Sequence, residues 1–278
     1  MTDRTPSRLS WLQPIPAPRP LPDGYDRHDP KAAEQRAALA AVLDGLEVVS
    51  VGYRGLVDGL LALGRTDIPL ARLAEGHVDA LRILAQAERQ PVADVWYGVW
   101  ASRSQQTGLR AESGPDGLRI DGTLRFASGA GVLDRALIPV WLPDGSHLLL
   151  DLDVTALPVD PTVWRTAAMQ ASRSYELAVA DVRVGRDAVV GESDFYLGRP
   201  AFFPGGVGVA ACWAGGPRGS STCCAPAIRA RRLSNNCGSA GYVRSWSRPL
   251  PPCDALQMFS TGRIRSPTCS RWRPRPAR

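Results

Sequence analysis

The chain has 278 residues, is 44% hydrophobic and carries a formal charge of +6, which gives it material for a sizeable core and length for one or two domains. No apolar run approaches the roughly 20 residues that cross a bilayer, and the stretch 1–22 holds arginines and prolines but no apolar signal segment. A cytoplasmic protein without a membrane partner is therefore expected. The charge is unevenly placed: twelve arginines and one acid, Asp254, follow Gly216 and give +11, so the first 216 residues carry −5. Five of the six cysteines lie in the same basic tail. The basic balance of the whole chain is thus no sign that its folded part binds nucleic acid.

Residues 1–28 are proline-rich and read as an extended arm. Asp29 followed by Pro30 reads as an N-cap and first helical position, opening an Ala- and Leu-rich helix over 31–46. A weaker helical patch covers 56–63, interrupted by Gly55, Gly59 and Gly64. The strongest helix spans 69–89, where Leu70, Leu73, His77, Leu81 and Leu84 share one face. A lone histidine on that stripe is a core or interface residue. From Pro91 the period changes to two, with an aromatic strand over 93–101 holding Trp96, Tyr97, Val99 and Trp100. After the Asp116-Gly117 turn, Leu118 and Ile120 alternate with Arg119 and Asp121. Gly122 then breaks the strand, and a second one sets Leu124 and Phe126 against Thr123 and Arg125. Small residues fill 127–131, where backbone could lie against something flat. Further strands are expected over 133–141, 147–154, 176–184 and 189–190, with a turn at Pro143-Asp144-Gly145-Ser146. The fold class is α+β: an N-terminal helical domain, then an antiparallel β-barrel or sandwich, then a Gly/Ala-rich helix start over 205–216.

Common chemical motifs do not fit. Gly205-Gly206-Val207-Gly208 follows no buried strand of a βαβ unit, and Lys31 is the chain's single lysine, which argues against phosphate-loop and dinucleotide sites. Cys223 and Cys224 are adjacent rather than spaced for zinc, and no histidine follows His147, so no metal site is expected. None of His28, His77 and His147 sits beside a nucleophile elbow.

One ordered set of motifs is informative. The run Gly122-Thr-Leu-Arg-Phe126-Ala-Ser128-Gly-Ala130, followed by Asp134-Arg-Ala-Leu-Ile-Pro-Val140, resembles the middle β-domain signature of the acyl-CoA dehydrogenase family. Asp94-Val-Trp-Tyr-Gly-Val-Trp-Ala-Ser102 lies where that family's first flavin-contacting strand belongs. Met169-Gln-Ala-Ser-Arg-Ser-Tyr-Glu-Leu-Ala-Val-Ala-Asp-Val-Arg-Val184 and Val189-Val-Gly191 are similar to its later strand segments. The resemblance covers roughly residues 32–216. It implies FAD as cofactor, Phe126 packing on the flavin edge, and Ser128 hydrogen-bonding near flavin N5. Trp100, Ala101 and Ser102 match the first flavin loop, although the family's Thr-Glu-Pro is absent there.

The implied function is oxidation of a CH–CH bond of an acyl-CoA thioester, which would place the chain in fatty acid metabolism; the implied assembly is a homotetramer. A flavin-dependent monooxygenase of the same superfamily is the alternative, and a nucleic-acid-binding protein using the basic tail is a third reading. The family's catalytic glutamate lies in a C-terminal helical bundle, and no catalytic residue can be assigned here. The resemblance divides the chain into an arm (1–28), a helical domain (29–90), the β-domain (91–200), a remnant start of the bundle (201–216) and an Arg/Ser/Pro/Cys-rich tail (217–278). That tail lacks periodicity and is expected to be disordered, with the bundle absent. Arg, Pro, Ser, Cys and Trp with few acids is also what GC-rich coding gives out of frame, so the tail is read as a frameshift product and the chain as truncated and inactive. Resequencing the locus tests this.

Overall fold

The computed structural model describes residues 17, 20–43, 53–104 and 106–231. Three helices come first: α1 (Ala32–Leu43), α2 (Tyr53–Thr66) and α3 (Ile68–Gln86). The first begins two residues later than Asp29-Pro30 implied, because the Glu34 carboxylate accepts the Lys31 N–H at 3.2 Å and closes the opening turn. α2 runs unbroken through the glycines that seemed to interrupt it. α3 is capped by Asp67, whose side chain accepts the Leu70 N–H at 2.8 Å. Pro69 sits in its first turn, where a missing N–H costs nothing.

Seven strands follow: β1 (Tyr97–Val99), β2 (Gly108–Gly114), β3 (Gly117–Ala127), β4 (Arg135–Trp141), β5 (His147–Asp153), β6 (Tyr175–Val184) and β7 (Val189–Val190). They form one open sheet in the order β6-β3-β2-β4-β5-β7, with β1 also paired to β4. The antiparallel barrel or sandwich is corrected on two counts. The sheet is mixed, because β1 runs parallel along the first half of β4 and β2 parallel along its second half. It is open, because its end strands β6 and β7 do not pair with each other. β2 was not anticipated: buried Leu109 and Ala111 alternate with exposed Arg110 and Glu112, too short a run to stand out among Gly and Ser. Gly122 does not break β3. It faces a bulge in β6 at Asp181, and a Cβ on it would lie 2.4 Å from the Gly108 carbonyl oxygen.

The sheet core gathers Trp100, Leu124, Ile138, Leu150 and Leu177. A second cluster joins α1, α2 and α3 through Leu39, Leu63 and Leu73, and takes in Cys212. A third packs α3 onto the sheet through Ile83, Leu84, Tyr97 and Leu149. His77 belongs to that junction: its Nδ1 accepts the Tyr97 N–H at 3.1 Å, its ring meets Trp96 edge-on at 5.1 Å, and burial lowers its pKa to about 4.

After the short helix α4 (Phe195–Gly198), α5 (Phe202–Arg231) crosses α2. A Cβ on Gly64 would lie 2.2 Å from the Cys212 carbonyl oxygen, so glycine lets the two helix backbones touch. α5 continues past Pro217, where the sequence changes character, to Arg231. Residues 232–278 of the expected disordered tail lie outside the described residues. Among the described residues no helix is long and apolar enough to cross a membrane.

Candidate functional site

The C-terminal end of β3 departs from regular strand geometry. Leu124 pairs with Leu177 and Ala127 with Tyr175, so β3 carries one more residue than β6 over that interval. This β-bulge puts Phe126 at φ 61, a left-handed conformation that side chains seldom adopt. Plain alternation would place Phe126 on the buried face with Leu124. The extra residue instead turns its ring outward, and Phe126 is 56% exposed while Leu124 is fully buried.

The outward ring is supported at its edges. Trp164 meets it edge-on at 6.3 Å, and the indole N–H of Trp164 donates to the Met169 carbonyl at 2.8 Å. The Arg125 guanidinium lies 5.5 Å from the ring centroid and is itself held by Glu176 at 3.0 Å.

Two residues on, half-buried Ser128 starts a line of hydroxyls. Its Oγ lies 2.8 Å from Ser174 Oγ, which lies 2.9 Å from Ser172 Oγ, and Ser172 donates to the Met169 carbonyl at 2.8 Å. Ser172 and Ser174 are buried. The Gly129 N–H donates to the Ser172 carbonyl at 2.8 Å, which pins the β3 end to this loop. The loop is fixed in turn to α1: Arg173, at φ 46, donates through Nε to Gln35 Oε1 at 3.0 Å and through a terminal nitrogen to the Pro30 carbonyl at 2.8 Å. Buried Gln35 donates back to the Ala171 carbonyl.

The residues expected from the first flavin loop divide. Trp100 is 3% exposed; its indole N–H donates to the Ser128 carbonyl at 2.9 Å, so it braces the Ser128 segment from inside the core rather than facing a ligand. Ala101 and Ser102 follow it as half-buried residues, and no hydrogen bond or ring contact joins them to Phe126 or Ser128. Among the described residues their backbone N–H groups have no hydrogen-bond acceptor. Position by position, the structure joins Trp100 to the Phe126–Ser128 segment, while Ala101 packs on the α3–sheet cluster and no contact ties Ala101 or Ser102 to that segment. Sequence reading missed Trp164, Ser172 and Ser174. The serine spacing of two in Ser172-Arg173-Ser174 was visible, but serines in a loop carry no periodic signal until a partner such as Ser128 is known.

The wall is an open surface. Two clefts lie elsewhere on the same strands: one of about 740 Å³ beside Arg103, Arg110, Asp121 and Trp141, the other of about 460 Å³ around the β2–β3 turn. Both are lined by scattered charges on exposed strand faces, with no aligned set of buried polar groups. The bulge at Phe126 combines strained backbone, an outward aromatic ring and ordered hydroxyls, and so is the stronger candidate.

No protein-family model matches the chain, and no curated protein matches it. Solved structures do. A complex of TdsC from Paenibacillus sp. A11-2 with FMN and indole superposes at a TM-score of 0.53 with 17% identity, over 68% of this chain and 54% of that one. The methanesulfinate monooxygenase MsuC from Pseudomonas fluorescens superposes at 0.56 with 13% identity, over 78% of this chain and 58% of that one. An FAD-dependent dehydrogenase superposes at 0.50 with 9% identity, over 63% and 54%. The likeness is one of fold. The helices and sheet are those of the acyl-CoA dehydrogenase fold, the fold of these flavin-dependent neighbours. The chain spans little more than half the length of each of these three proteins.

Proposed function

We propose that this chain is a flavin-dependent oxidoreductase that presents Phe126, Ala127 and Ser128 to the ring system of FAD or FMN. The observation that carries this reading is Phe126. A large apolar ring held outward at positive φ leaves more than half its surface uncovered, and with one polar hydroxyl beside it the surface suits a flat heteroaromatic ligand. The residues present fit that group. Phe126 would bear on a ring edge, Ser128 would meet the polar edge near N5, and the free N–H groups of Ala101 and Ser102 would donate to ring carbonyls. A flavin bound there supplies two-electron chemistry that side chains cannot. The protein's own part is to fix the ring, exclude water from one face and hold a proton at Ser128.

Within this class monooxygenation is the reading we favour. The fold is shared with TdsC bound to FMN and with the monooxygenase MsuC, and this chemistry needs no carboxylate base. Oxidation of an acyl-CoA thioester is the second reading, supported by the ordered sequence motifs. It needs a carboxylate at the substrate α-carbon. A homotetramer belongs to the proposal through the same sequence resemblance.

Titration of the purified full chain with FMN and FAD, followed by flavin absorbance, tests the reading. Binding is expected, weakened at least about tenfold by Phe126→Ala, the loss of one well-packed aromatic contact. A chain that binds neither flavin overturns it. Anaerobic bleaching of bound flavin by an acyl-CoA would select dehydrogenation over monooxygenation.

A further inference from the structure

The cleft of about 740 Å³ over β2 and β3 holds charges that are scattered but not equally committed. Asp121, Arg110, Trp141 and His147 stand in register across β3, β2, β4 and β5, so their side chains share one face of the sheet. Glu112 in the same cleft is held by Arg119, and Asp121 accepts the Asp181 N–H at 2.8 Å. Arg103 and Arg110 have neither a hydrogen bond nor an ion pair among the described residues. With Glu112 neutralised by Arg119, two positive charges face the single negative charge of Asp121.

Arg103 is fixed all the same. Its guanidinium lies 4.0 Å from the centroid of the Trp141 ring. That ring stacks on His147 at 5.9 Å, and buried His147 is anchored through Nδ1 to Asp194 at 2.7 Å. The Arg103 stem passes Gly108, where a Cβ would lie only 3.1 Å from its Cγ. A guanidinium placed by ring contact leaves all of its N–H donors uncommitted. Beside it, Ser104 Oγ and Thr107 Oγ1 lie 2.9 Å apart. One proton serves that contact, so the accepting hydroxyl keeps its own proton for another partner.

We propose that this cleft is a binding site for a phosphate-type oxyanion, a phosphomonoester or a diphosphate. Arg103 is its preorganised donor, Arg110 its second positive arm and the Ser104–Thr107 pair a third donor. Holding Arg103 in place beforehand lowers the ordering cost that a long side chain otherwise brings to binding. Three separate donor groups suit a tetrahedral group with three free oxygens better than a planar carboxylate with two. The site is independent of the flavin wall, since neither Phe126 nor Ser128 lines the cleft.

The twelve arginines after Gly216 attract the same anions, so the test needs a reporter inside the cleft. In the full chain labelled with fluorotryptophan, fluorine NMR gives a signal for Trp141, identified by its loss in Trp141→Phe. Pyrophosphate is expected to shift that signal saturably, and higher ionic strength should raise the concentration required. Arg103→Ala and Arg110→Ala should each require about tenfold more pyrophosphate, as expected for one lost charged contact. Arg186→Ala removes an arginine outside the cleft and should leave the titration unchanged. Succinate should bind more weakly than pyrophosphate. A Trp141 signal that does not move, with pyrophosphate taken up by the tail alone, overturns the proposal. Equal titrations in all three arginine variants do the same, and so does succinate binding as tightly as pyrophosphate. None of these outcomes touches the flavin wall. Circular dichroism checks folding; if an alanine variant does not fold, Arg103→Lys, which keeps the charge and loses the planar fork, should still weaken binding, and unchanged binding there overturns the role of Arg103.

Discussion

At the scale of single residues, the decisive event is the extra residue in β3 that turns Phe126 outward. Nothing in the pattern Leu124-Arg-Phe126 announces it, because alternation alone puts both apolar side chains on the buried face; the resemblance to a known family, not periodicity, singled Phe126 out. The strain is testable without any ligand. Glycine relieves a left-handed backbone and alanine does not, so Phe126→Gly should be more stable than Phe126→Ala by about 1 kcal/mol in urea unfolding. Both should lose flavin. Equal stability of the two would mean that φ 61 carries no strain. His77 offers a second test. Burial lowers its pKa from an ordinary 6.5 to about 4, so between those values the unfolded chain binds the extra proton. The contribution of His77 is complete above pH 6.5 and is lost as the pH falls towards 4, at most about 3 kcal/mol. In His77→Asn the amide oxygen can still accept the Tyr97 N–H. That variant should therefore show a shallower loss of stability between pH 7 and pH 5. An unchanged slope would mean that His77 titrates normally in the fold.

At the scale of elements, the glycines of α2 show what sequence can mislead about. Read by propensity they weaken the helix; in the fold, Gly64 is the point where α5 touches α2. A methyl group there meets a backbone oxygen, which cannot move as a side-chain tip can. Gly64→Ala should cost more than about 2 kcal/mol by thermal or urea unfolding. Gly206→Ala, on an α5 face with nothing within 4 Å, should instead raise stability by roughly 0.5–1 kcal/mol through helix propensity. Similar small effects at both positions would contradict this crossing. α3 was legible because its apolar stripe acts within one helix, whereas its Asp67 cap emerged only from the fold. Strand β3 was legible from its alternation, and β4 and β5 from their short apolar runs, which are equally local signals. The sheet's mixed order was not, since the parallel pairing of β4 with β1 and β2 joins segments distant in sequence. Its openness depends likewise on where β6 and β7 end up.

At the scale of the whole molecule, α5 sets the behaviour in solution. One face carries Ala211, Cys212 and Gly215 against α2 and α3. The opposite face exposes Phe203, Val207, Ala210, Trp213 and Ala214 at helical spacing, with Phe203 84% exposed and no charged residue among them. A helix that is apolar on both sides is a buried helix in a stable protein, so this stripe is uncovered apolar surface of the kind that drives association. Sedimentation of the full chain should therefore show mass rising with protein concentration, and the double change Phe203→Lys with Trp213→Lys should suppress that rise without altering the circular dichroism spectrum. The wall at Phe126 supplies an internal control. If association runs through α5, flavin affinity per chain stays the same in the double variant, because Phe126 and Ser128 are held by β6, the Trp164–Ser174 loop and α1. A chain that remains monomeric at high concentration would show that the stripe tolerates water, and loss of flavin binding in the double variant would show that α5 contributes to the site itself.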